Sequence, residues 1–363
     1  MMKKKRKFNV VHQNENNVGD RISELDNGVL VNILSLLPLK KAVASSILSR
    51  RWLYVWTNIF NLNIEAHLIT TKRKTKKKNI ELESKNLKFV EWLTDVVKKQ
   101  HKAPKIDQFR VCFRCLGPEF DCFVRDLIEF AMIKRAHKLE LDFALGNGDD
   151  PILGSKYSFP EKLCQKHIGF ESLQVLEVKS VNVSGGVIER LLSNCPVLER
   201  LSVYNSPALH GLRVFGRASL PLKCLVIRQC HLVGRIEIDS ATNLVSLYIE
   251  RAFETNLVLR NVPKLFEVSM IDWCNYCTKI NVIDQVSCCL SQLEILRVGR
   301  IVEVSKIGEV IPNPILTNLK HLHLPVDIRC KYVFLDLNSI VEAVPYLQRL
   351  VFMLSYVVSY LDY

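Results

Sequence analysis

Apolar residues follow two different periods along the chain. Near the N-terminus the period is helical, and the spacing i, i+3, i+4, i+7 is occupied by Leu30, Ile33, Leu34 and Leu37. These positions share one face of a predicted first helix. Pro38 ends that helix, because the residue before a proline is pushed out of the α region. Asn27 is the expected N-cap, since its short side chain can accept a hydrogen bond from the first turn.

Two more short helices are predicted directly after this proline. One starts near Leu39 and carries Val43 on one side, and another starts near Ser49 and presents Trp52 and Trp56 at i, i+4. Three helices in so short a stretch cannot bury this apolar surface among themselves. An exposed apolar patch is therefore expected, and such patches usually mark a binding site for a partner.

Further along, the pattern changes to apolar-x-x-apolar-x-apolar. A helix whose apolar face carries Leu87, Val90, Leu93 and Val97 precedes the change. Ten units of the new pattern follow: Ile106/Phe109/Val111, Ala136/Leu139/Leu141, Leu173/Leu176/Val178, Leu198/Leu201/Val203, Leu222/Leu225/Ile227, Leu244/Leu247/Ile249, Leu265/Val268/Met270, Leu293/Leu296/Val298, Leu319/Leu322/Leu324 and Leu347/Leu350/Phe352. From Leu173 onward the units start 21 to 28 residues apart. This period is typical of leucine-rich repeats.

The unit predicts an α/β fold. Its second and third apolar residues alternate on a short strand and point inward, and stacked units pair their strands in parallel around one core. Helical or irregular segments, such as residues 186–193 and 283–290, return the chain along the convex side. The strands line the concave side. The apolar run from Leu350 to Leu361 is too short to span a membrane and is interpreted as the last strand and its cap.

The large positive charge of the chain is concentrated in two short runs and says little about the folded repeats. The formal net charge is +13, but two basic runs supply eleven of these charges, and without them +2 remains. The first run is Lys3, Lys4, Lys5, Arg6 and Lys7. With no apolar segment behind it, it is interpreted as a nuclear-localisation patch or as a solvated tail rather than a secretory signal. The second, within residues 72–78, is interpreted as part of a polar linker. Nucleic-acid binding is disfavoured because no aromatic residue is interleaved for stacking.

Candidate chemistry is sparse. Twelve cysteines without a secretory signal indicate reduced thiols. Two CxxC pairs lie more than a hundred residues apart in sequence, which disfavours a shared zinc site. His321 and His323 could ligate a metal but are better explained as strand residues on the concave face. No nucleophile elbow, phosphate loop or HExxH motif is present, so neither a catalytic site nor a cofactor is predicted.

The helical stretch resembles the F-box of plant F-box proteins with leucine-rich repeats. The matching segments are Asp20–Ser23, Val29–Leu30, Ile33–Ser35, Leu37–Pro38, Lys41–Val43, Leu48–Ser49 and Arg51–Trp52. The chain departs from the family where Leu25-Asp26-Asn27 replaces Leu-Pro-Asp. Phe89-Val90, Asn194-Cys195-Pro196 and Glu342-Ala343 carry a similar resemblance through the repeats. Many relatives continue into a C-terminal FBD module, which the resemblance leads us to expect is absent beyond Tyr363.

The resemblance implies a non-catalytic substrate receptor of a Skp–cullin–F-box ubiquitin ligase, located in the nucleus, the cytoplasm or both. Four segments are expected: a disordered tail (1–19), the F-box (20–60), a polar linker or loop (61–86) and the repeat domain (87–363). The F-box would bind the Skp-type adaptor and, through it, cullin. The expected adaptor-binding residues are Leu25, Leu30, Ile33, Leu34, Leu37, Pro38, Leu39, Val43, Leu48 and Trp52.

The repeats would hold an unidentified target protein on their concave face. Residues beside the inward positions point to that face, and those expected to bind are Arg200, Ser202, Tyr204, Arg228, Tyr248, Glu250, Arg297, His321 and His323. Tyr and Arg are enriched at the energetic centres of interfaces. Two alternatives remain open: an F-box scaffold acting outside the ligase, and a sensor that holds a small molecule in the solenoid. No membrane partner is expected.

Overall fold

A computed structural model describes residues 22, 24–67, 76–114, 120–144, 157–165, 169–216, 220–250, 255–271, 285–298, 316–327 and 344–355. The helices are α1 (Asn27–Ser35), α2 (Leu39–Ala44), α3 (Trp52–Val55), α4 (Lys76–Gln100), α5 (Asp121–Ile133), α6 (Glu161–Gln165) and α7 (Gly185–Asn194). The strands are β1 (Asn61–His67), β2 (Gln108–Arg114), β3 (Lys138–Asp142), β4 (Val175–Lys179), β5 (Arg200–Tyr204), β6 (Gly211–Phe215), β7 (Cys224–Arg228), β8 (Arg235–Asp239), β9 (Ser246–Glu250), β10 (Asn256–Arg260), β11 (Glu267–Ile271), β12 (Ile295–Val298), β13 (His321–Asp327) and β14 (Arg349–Ser355).

One parallel sheet carries the repeats. Its strands follow the order β1-β2-β3-β4-β5-β7-β9-β11-β12-β13-β14. The second apolar position of each unit aligns across the sheet, as Leu176 pairs with Leu201 and Leu201 with Leu225. These inward rows are buried in one continuous core. The predicted α/β repeat fold is therefore confirmed, and each of the ten predicted units lies on a strand of this sheet.

The prediction of a polar linker over residues 61–86 is wrong in part. Asn61–His67 form β1, which pairs in parallel with β2 along its whole length. Lys76 begins α4, which extends to Gln100, so that helix starts earlier than Leu87. The physical reason is that Ile59, Leu62 and Ile64 form another unit of the repeat, and all three are buried.

A second sheet stands where the repeat pattern predicted helical or irregular segments on the convex side. It has three parallel strands in the order β10-β8-β6. The units that start at Leu198, Leu222 and Leu244 are the shortest, at 21 to 24 residues, and each returns through a strand rather than a helix. The longer unit before them returns through α7, as predicted for residues 186–193.

The F-box region forms three short helices that pack directly on the first repeat. The N-cap of α1 is Asp26, whose Oδ1 accepts a hydrogen bond from the Val29 backbone N–H at 3.0 Å. The prediction of Asn27 as the cap is therefore wrong: its Oδ1 instead accepts from Arg51 Nε at 2.8 Å. The third helix begins at Trp52 rather than near Ser49 and continues as a 3₁₀ turn over Trp56–Asn58.

The junction between the F-box and the repeats is hydrogen-bonded and buried. Pro38 bridges to Asn63 of β1, and the Phe60 N–H donates to Ser35 Oγ at 3.3 Å. The Thr57 carbonyl accepts from Lys102 N–H at 2.7 Å. A sheet edge is a template for unwanted pairing unless it is covered. The F-box helices thus take the place of a terminal capping repeat on the β1 side of the solenoid.

Candidate interaction surfaces

The F-box helices divide their apolar residues between core and surface. Leu30, Leu34, Leu39 and Trp52 are at most 6% exposed and belong to the same core as the repeats. Packing of α1 to α3 on β1 buries that stripe, so the structure does not expose these four predicted adaptor-binding residues. They can only support such a surface from beneath.

Other predicted adaptor residues reach solvent to differing degrees. Ile33 and Leu48 are exposed. Leu25, Leu37, Pro38 and Val43 are half-buried. The F-box region also exposes large apolar residues that sequence analysis did not name: Val29, Leu36, Ile47, Leu53 and Tyr54.

The strongest exposures are those of Leu36 at 82% and Ile47 at 86%. On α1, Val29, Ile33 and Leu36 follow the i, i+4, i+7 spacing of one helix face. This second stripe was visible in the sequence. What the sequence did not reveal is which stripe β1 covers. We call Val29, Ile33, Leu36, Ile47 and Leu48 the exposed F-box set.

The repeat sheet presents an outward face that is dominated at its β1 end by one cation. Arg110 on β2 lies 2.8 Å (Nη1) from Glu65 Oε1 and 3.1 Å (Nε) from Glu140 Oε1. Its Nη2 lies 3.1 Å from Asp142 Oδ2. Burial acts to lower the pKa of Arg110, but the hydrogen bond to Glu140 and the nearby carboxylates outweigh it and raise that pKa.

Two lysines complete this Arg110 network. Lys179 Nζ lies 2.9 Å from Glu140 Oε1, and Lys138 Nζ lies 3.0 Å from Glu177 Oε1. Burial acts to raise the pKa of Glu140, but Lys179 and then Arg110 hold it below its ordinary value. Sequence analysis missed this network. Opposite charges at aligned outward positions of adjacent units were the signal that could have found it.

The centre of the face combines aromatic rings with paired charges. The guanidinium of Arg228 and the ammonium of Lys179 each lie 5.7 Å from the ring centroid of Tyr204. Arg228 Nε is 3.0 Å from Glu250 Oε2. Burial, together with a hydrogen bond to Glu267, raises the pKa of Tyr248 to about 12, so this side chain stays a neutral phenol.

The predicted target-binding residues mostly reach this face. Arg200 is exposed, and the half-buried members are Tyr204, Arg228, Tyr248, Glu250, Arg297, His321 and His323. Ser202 is only 2% exposed, so its prediction as a contact residue is wrong. Its side chain is short and is flanked in register by Glu177 and Val226, which keep it from solvent.

The remaining sequence predictions fall partly outside the described residues. Lys3–Lys7 lie outside them, as do Cys115, Cys274 and Cys277 of the CxxC pairs. Within the described part of the chain, no group of three or more His, Cys, Asp or Glu side chains could hold a metal ion. Of the helices described, none is both long enough and apolar enough to cross a membrane.

Comparison with known proteins identifies a family for the repeats. Residues 163–359 match the model of the At1g61320/AtMIF1 LRR domain. The F-box/LRR-repeat protein At3g03360 of Arabidopsis thaliana is 24% identical over 301 residues, covering 70% of this chain and 58% of the relative. The F-box/FBD/LRR-repeat protein At4g00160 of the same plant is 27% identical over 277 residues, covering 70% and 56%.

A third relative matches a shorter stretch at higher identity. The FBD-associated F-box protein At4g10400 of Arabidopsis thaliana is 32% identical over 199 residues, covering 51% of this chain and 45% of the relative. The chain thus spans about half the length of these relatives. The family model covers more than half of the chain and matches the repeat sheet, while the relatives carry F-box and repeat names. The chain therefore belongs to the plant F-box proteins with leucine-rich repeats, with repeats of the At1g61320/AtMIF1 LRR family.

Proposed function

We propose that this chain is the target-recognition subunit of a Skp–cullin–F-box ubiquitin ligase. The exposed F-box set would bind a Skp-type adaptor and, through it, cullin, and the outward face of the repeat sheet would hold a target protein. Transfer of ubiquitin would be carried out by other subunits, so the chain itself would have no catalytic role.

The observation that supports this proposal is the division of apolar residues in the F-box. Its core is complete without Leu36, Ile47 and Leu48, which are 82%, 86% and 65% exposed. Removing large apolar side chains from water at a partner's surface is favourable, by about 25 cal/mol per Å² of apolar area buried. Their exposure on adjoining short helices is what a protein-binding surface requires.

Co-purification with a plant Skp-type adaptor tests the proposal. Leu36→Glu combined with Ile47→Glu should abolish adaptor binding, because each change would bury a charge in an apolar interface. The matched control is Leu232→Glu combined with Phe215→Glu, since these apolar residues are also exposed but lie on the repeats. Undiminished adaptor binding by the F-box variant, or equal loss in both variants, would refute the assignment.

We also propose that Lys3–Lys7 act as a nuclear address. The support is the cluster of five consecutive basic residues. Replacing them with alanines should move a fluorescent fusion of the full chain out of the nucleus. An equal number of alanine replacements within Lys72–Lys78 is the control for loss of charge alone. An unchanged nuclear fraction in the first variant would favour the solvated-tail interpretation.

A further inference from the structure

The outward face of the sheet ends in a group of cations on β12, β13 and β14. Arg297 is directly opposite His323, and His321 is directly opposite Arg349. Adjacent strands are about 4.8 Å apart and residues rise by about 3.3 Å along a strand, so these four side chains start within about 12 Å of one another. We call them the basic end of the sheet.

This end carries a surplus of positive charge that the other end does not. Among the described outward side chains of β11 to β14, Glu267 is the single carboxylate, and it is paired with Arg297. No described carboxylate forms an ion pair with Arg349. The Arg110 network, by contrast, sets Glu65, Glu140, Asp142 and Glu177 against three cations. The charges of the Arg110 network satisfy one another, whereas at the basic end Glu267 is the one carboxylate that the described part of the chain sets against the cations.

Two further observations point to an anion at the basic end. Burial, followed by the charges of Arg297, Arg349 and His321, lowers the pKa of His323, which shows a local excess of positive charge. Ser269 lies beside Arg297 in the register and is 1% exposed, yet its hydroxyl has no hydrogen-bond partner among the described residues. A buried unpaired hydroxyl is uncommon and indicates a missing partner.

We propose that the basic end binds an acidic segment of the target polypeptide. Arg297 and Arg349 would donate charge-assisted hydrogen bonds to the anionic groups of this segment. An anionic group that draws the Arg297 side chain outward would then lie close enough to accept a hydrogen bond from the Ser269 hydroxyl. Carboxylate and phosphate groups share this chemistry, so acidic and phosphorylated segments are both candidates. The inference rests on the proposed function insofar as it identifies the ligand as part of the ligase target.

Binding of labelled peptides to the full chain tests this proposal by fluorescence anisotropy. The probes are a peptide of alternating Glu and Ser, the same peptide with phosphoserine, and a matched peptide of Lys and Ser. The test variant is Arg297→Gln with Arg349→Gln. The control is Arg235→Gln with Arg260→Gln, because those two arginines share Glu237 on the other sheet and the variant loses the same charge.

The acidic probes should bind the wild-type chain, whereas the lysine peptide should not. The test variant should lose at least about tenfold in affinity, because it loses two charge-assisted hydrogen bonds. The control variant should stay within about twofold, since it keeps the basic end. Tighter binding of the phosphorylated probe would identify phosphate as the preferred group, and tighter binding of the Glu probe would identify carboxylate.

The pH dependence provides an independent readout. Burial and the positive charges of Arg297, Arg349 and His321 lower the pKa of His323, and a bound anion would raise it again by favouring the protonated form. Glu267 is on β11, one strand further from His323 than Arg297 on β12. Affinity should therefore rise as the pH falls from about 8 to about 6. His321→Gln with His323→Gln should remove this rise.

Three results would overturn the inference: no binding of either acidic probe, equal losses in the test and control variants, or a pH dependence that survives removal of both histidines. Adaptor co-purification is measured on the same variants. If the wild-type chain does not bind the adaptor, the proposed ligase role alone is refuted. Normal adaptor binding without peptide selectivity would refute the acidic-segment inference alone.

Discussion

Removing the cation at the centre of the Arg110 network should destabilise the β1 end of the repeat sheet. Arg110→Gln keeps much of the stem and the hydrogen-bonding capacity of the side chain but loses the charge. It leaves Glu65 on β1 and both Glu140 and Asp142 on β3 without the cation on β2 that now joins them. Lys179 would still reach Glu140, which moderates the loss.

The magnitude follows from the number and exposure of the contacts. Breaking a fully buried ion pair costs about 3–5 kcal/mol, and an exposed pair contributes about 0–1 kcal/mol. The Arg110 side chain is 30% exposed and its partners are 11–34% exposed. An intermediate value of about 2 kcal/mol is therefore expected. For a chain of this length it corresponds to a fall in Tm of about 3 °C.

Calorimetry and chemical denaturation would measure this change. Arg190→Gln is the matched control, because Arg190 makes a single ion pair with Glu161 and both side chains are 43–58% exposed. Its loss should cost less than about 0.5 kcal/mol. Equal stability of the Arg110 variant and the wild type would show that the network is solvated and that its geometry carries little energy.

The same variant has a characteristic acid dependence. The pKa of Glu140 is lowered in the folded chain, so its pairing contributes stability above the ordinary value of 4.5 and loses it as the pH falls through the lowered value. The difference between wild type and Arg110→Gln should thus be present at neutral pH and shrink below about pH 4.5. A difference that stays constant to low pH would mean that packing of the arginine stem, not its charge, is responsible.

Three further positions allow simpler tests. Asp26→Ala should reduce the free energy of unfolding by about 1 kcal/mol because α1 loses its N-cap, whereas Asp26→Asn should keep the cap and stay within a few tenths; equal effects in urea titrations would refute the capping assignment. Gly169→Ala should cost about 2 kcal/mol or more, since φ is 79° and an added Cβ would lie 1.8 Å from the Met132 carbonyl oxygen. Gly186→Ala should instead stabilise the fold by about 0.5–1 kcal/mol, because Gly186 lies in α7 and a Cβ added there would have no atom within 4 Å. Destabilisation by this change would show that helix propensity does not decide the outcome at this position.

The repeat sheet was predictable because one physical rule generates it. Each unit places two apolar residues inward on a strand, and stacked strands must then align in register, as Leu176, Leu201 and Leu225 do. The same rule extends to Ile59, Leu62 and Ile64, which form a unit that was missed. Their position directly between an F-box and a basic run made them look like the start of a linker.

The second sheet was missed for a related reason. Leu209, Leu212 and Val214 repeat the same pattern, and all three are buried. The sequence contains the pattern twice within these short units, but only one occurrence can occupy the first sheet. Assigning the return segments to helices or irregular structure overlooked that 21 to 24 residues per unit can be completed by a second strand.

The interaction surfaces were predictable only in part. Helical periodicity on α1 yields two apolar stripes, but the choice between them depends on β1, which the predicted domain scheme assigned to a linker. Strand alternation correctly places Arg228 and His323 on the outward face. It cannot reveal that a side chain as short as Ser202 is covered by its neighbours, because that depends on cross-strand packing rather than on alternation.

The junction between the F-box and β1 has a consequence for how a target would be presented. The bridge from Pro38 to Asn63 and the hydrogen bonds from Phe60 to Ser35 and from Lys102 to Thr57 lie beside a shared apolar core. Independent rotation of the F-box would break these contacts and expose Leu39 and Trp52 to water. The exposed F-box set and the basic end of the sheet are thus parts of one continuously packed unit. In the proposed ligase, a target held at the basic end would be presented at a fixed distance from the adaptor, so the position of a target lysine along its own chain would decide whether it is reached.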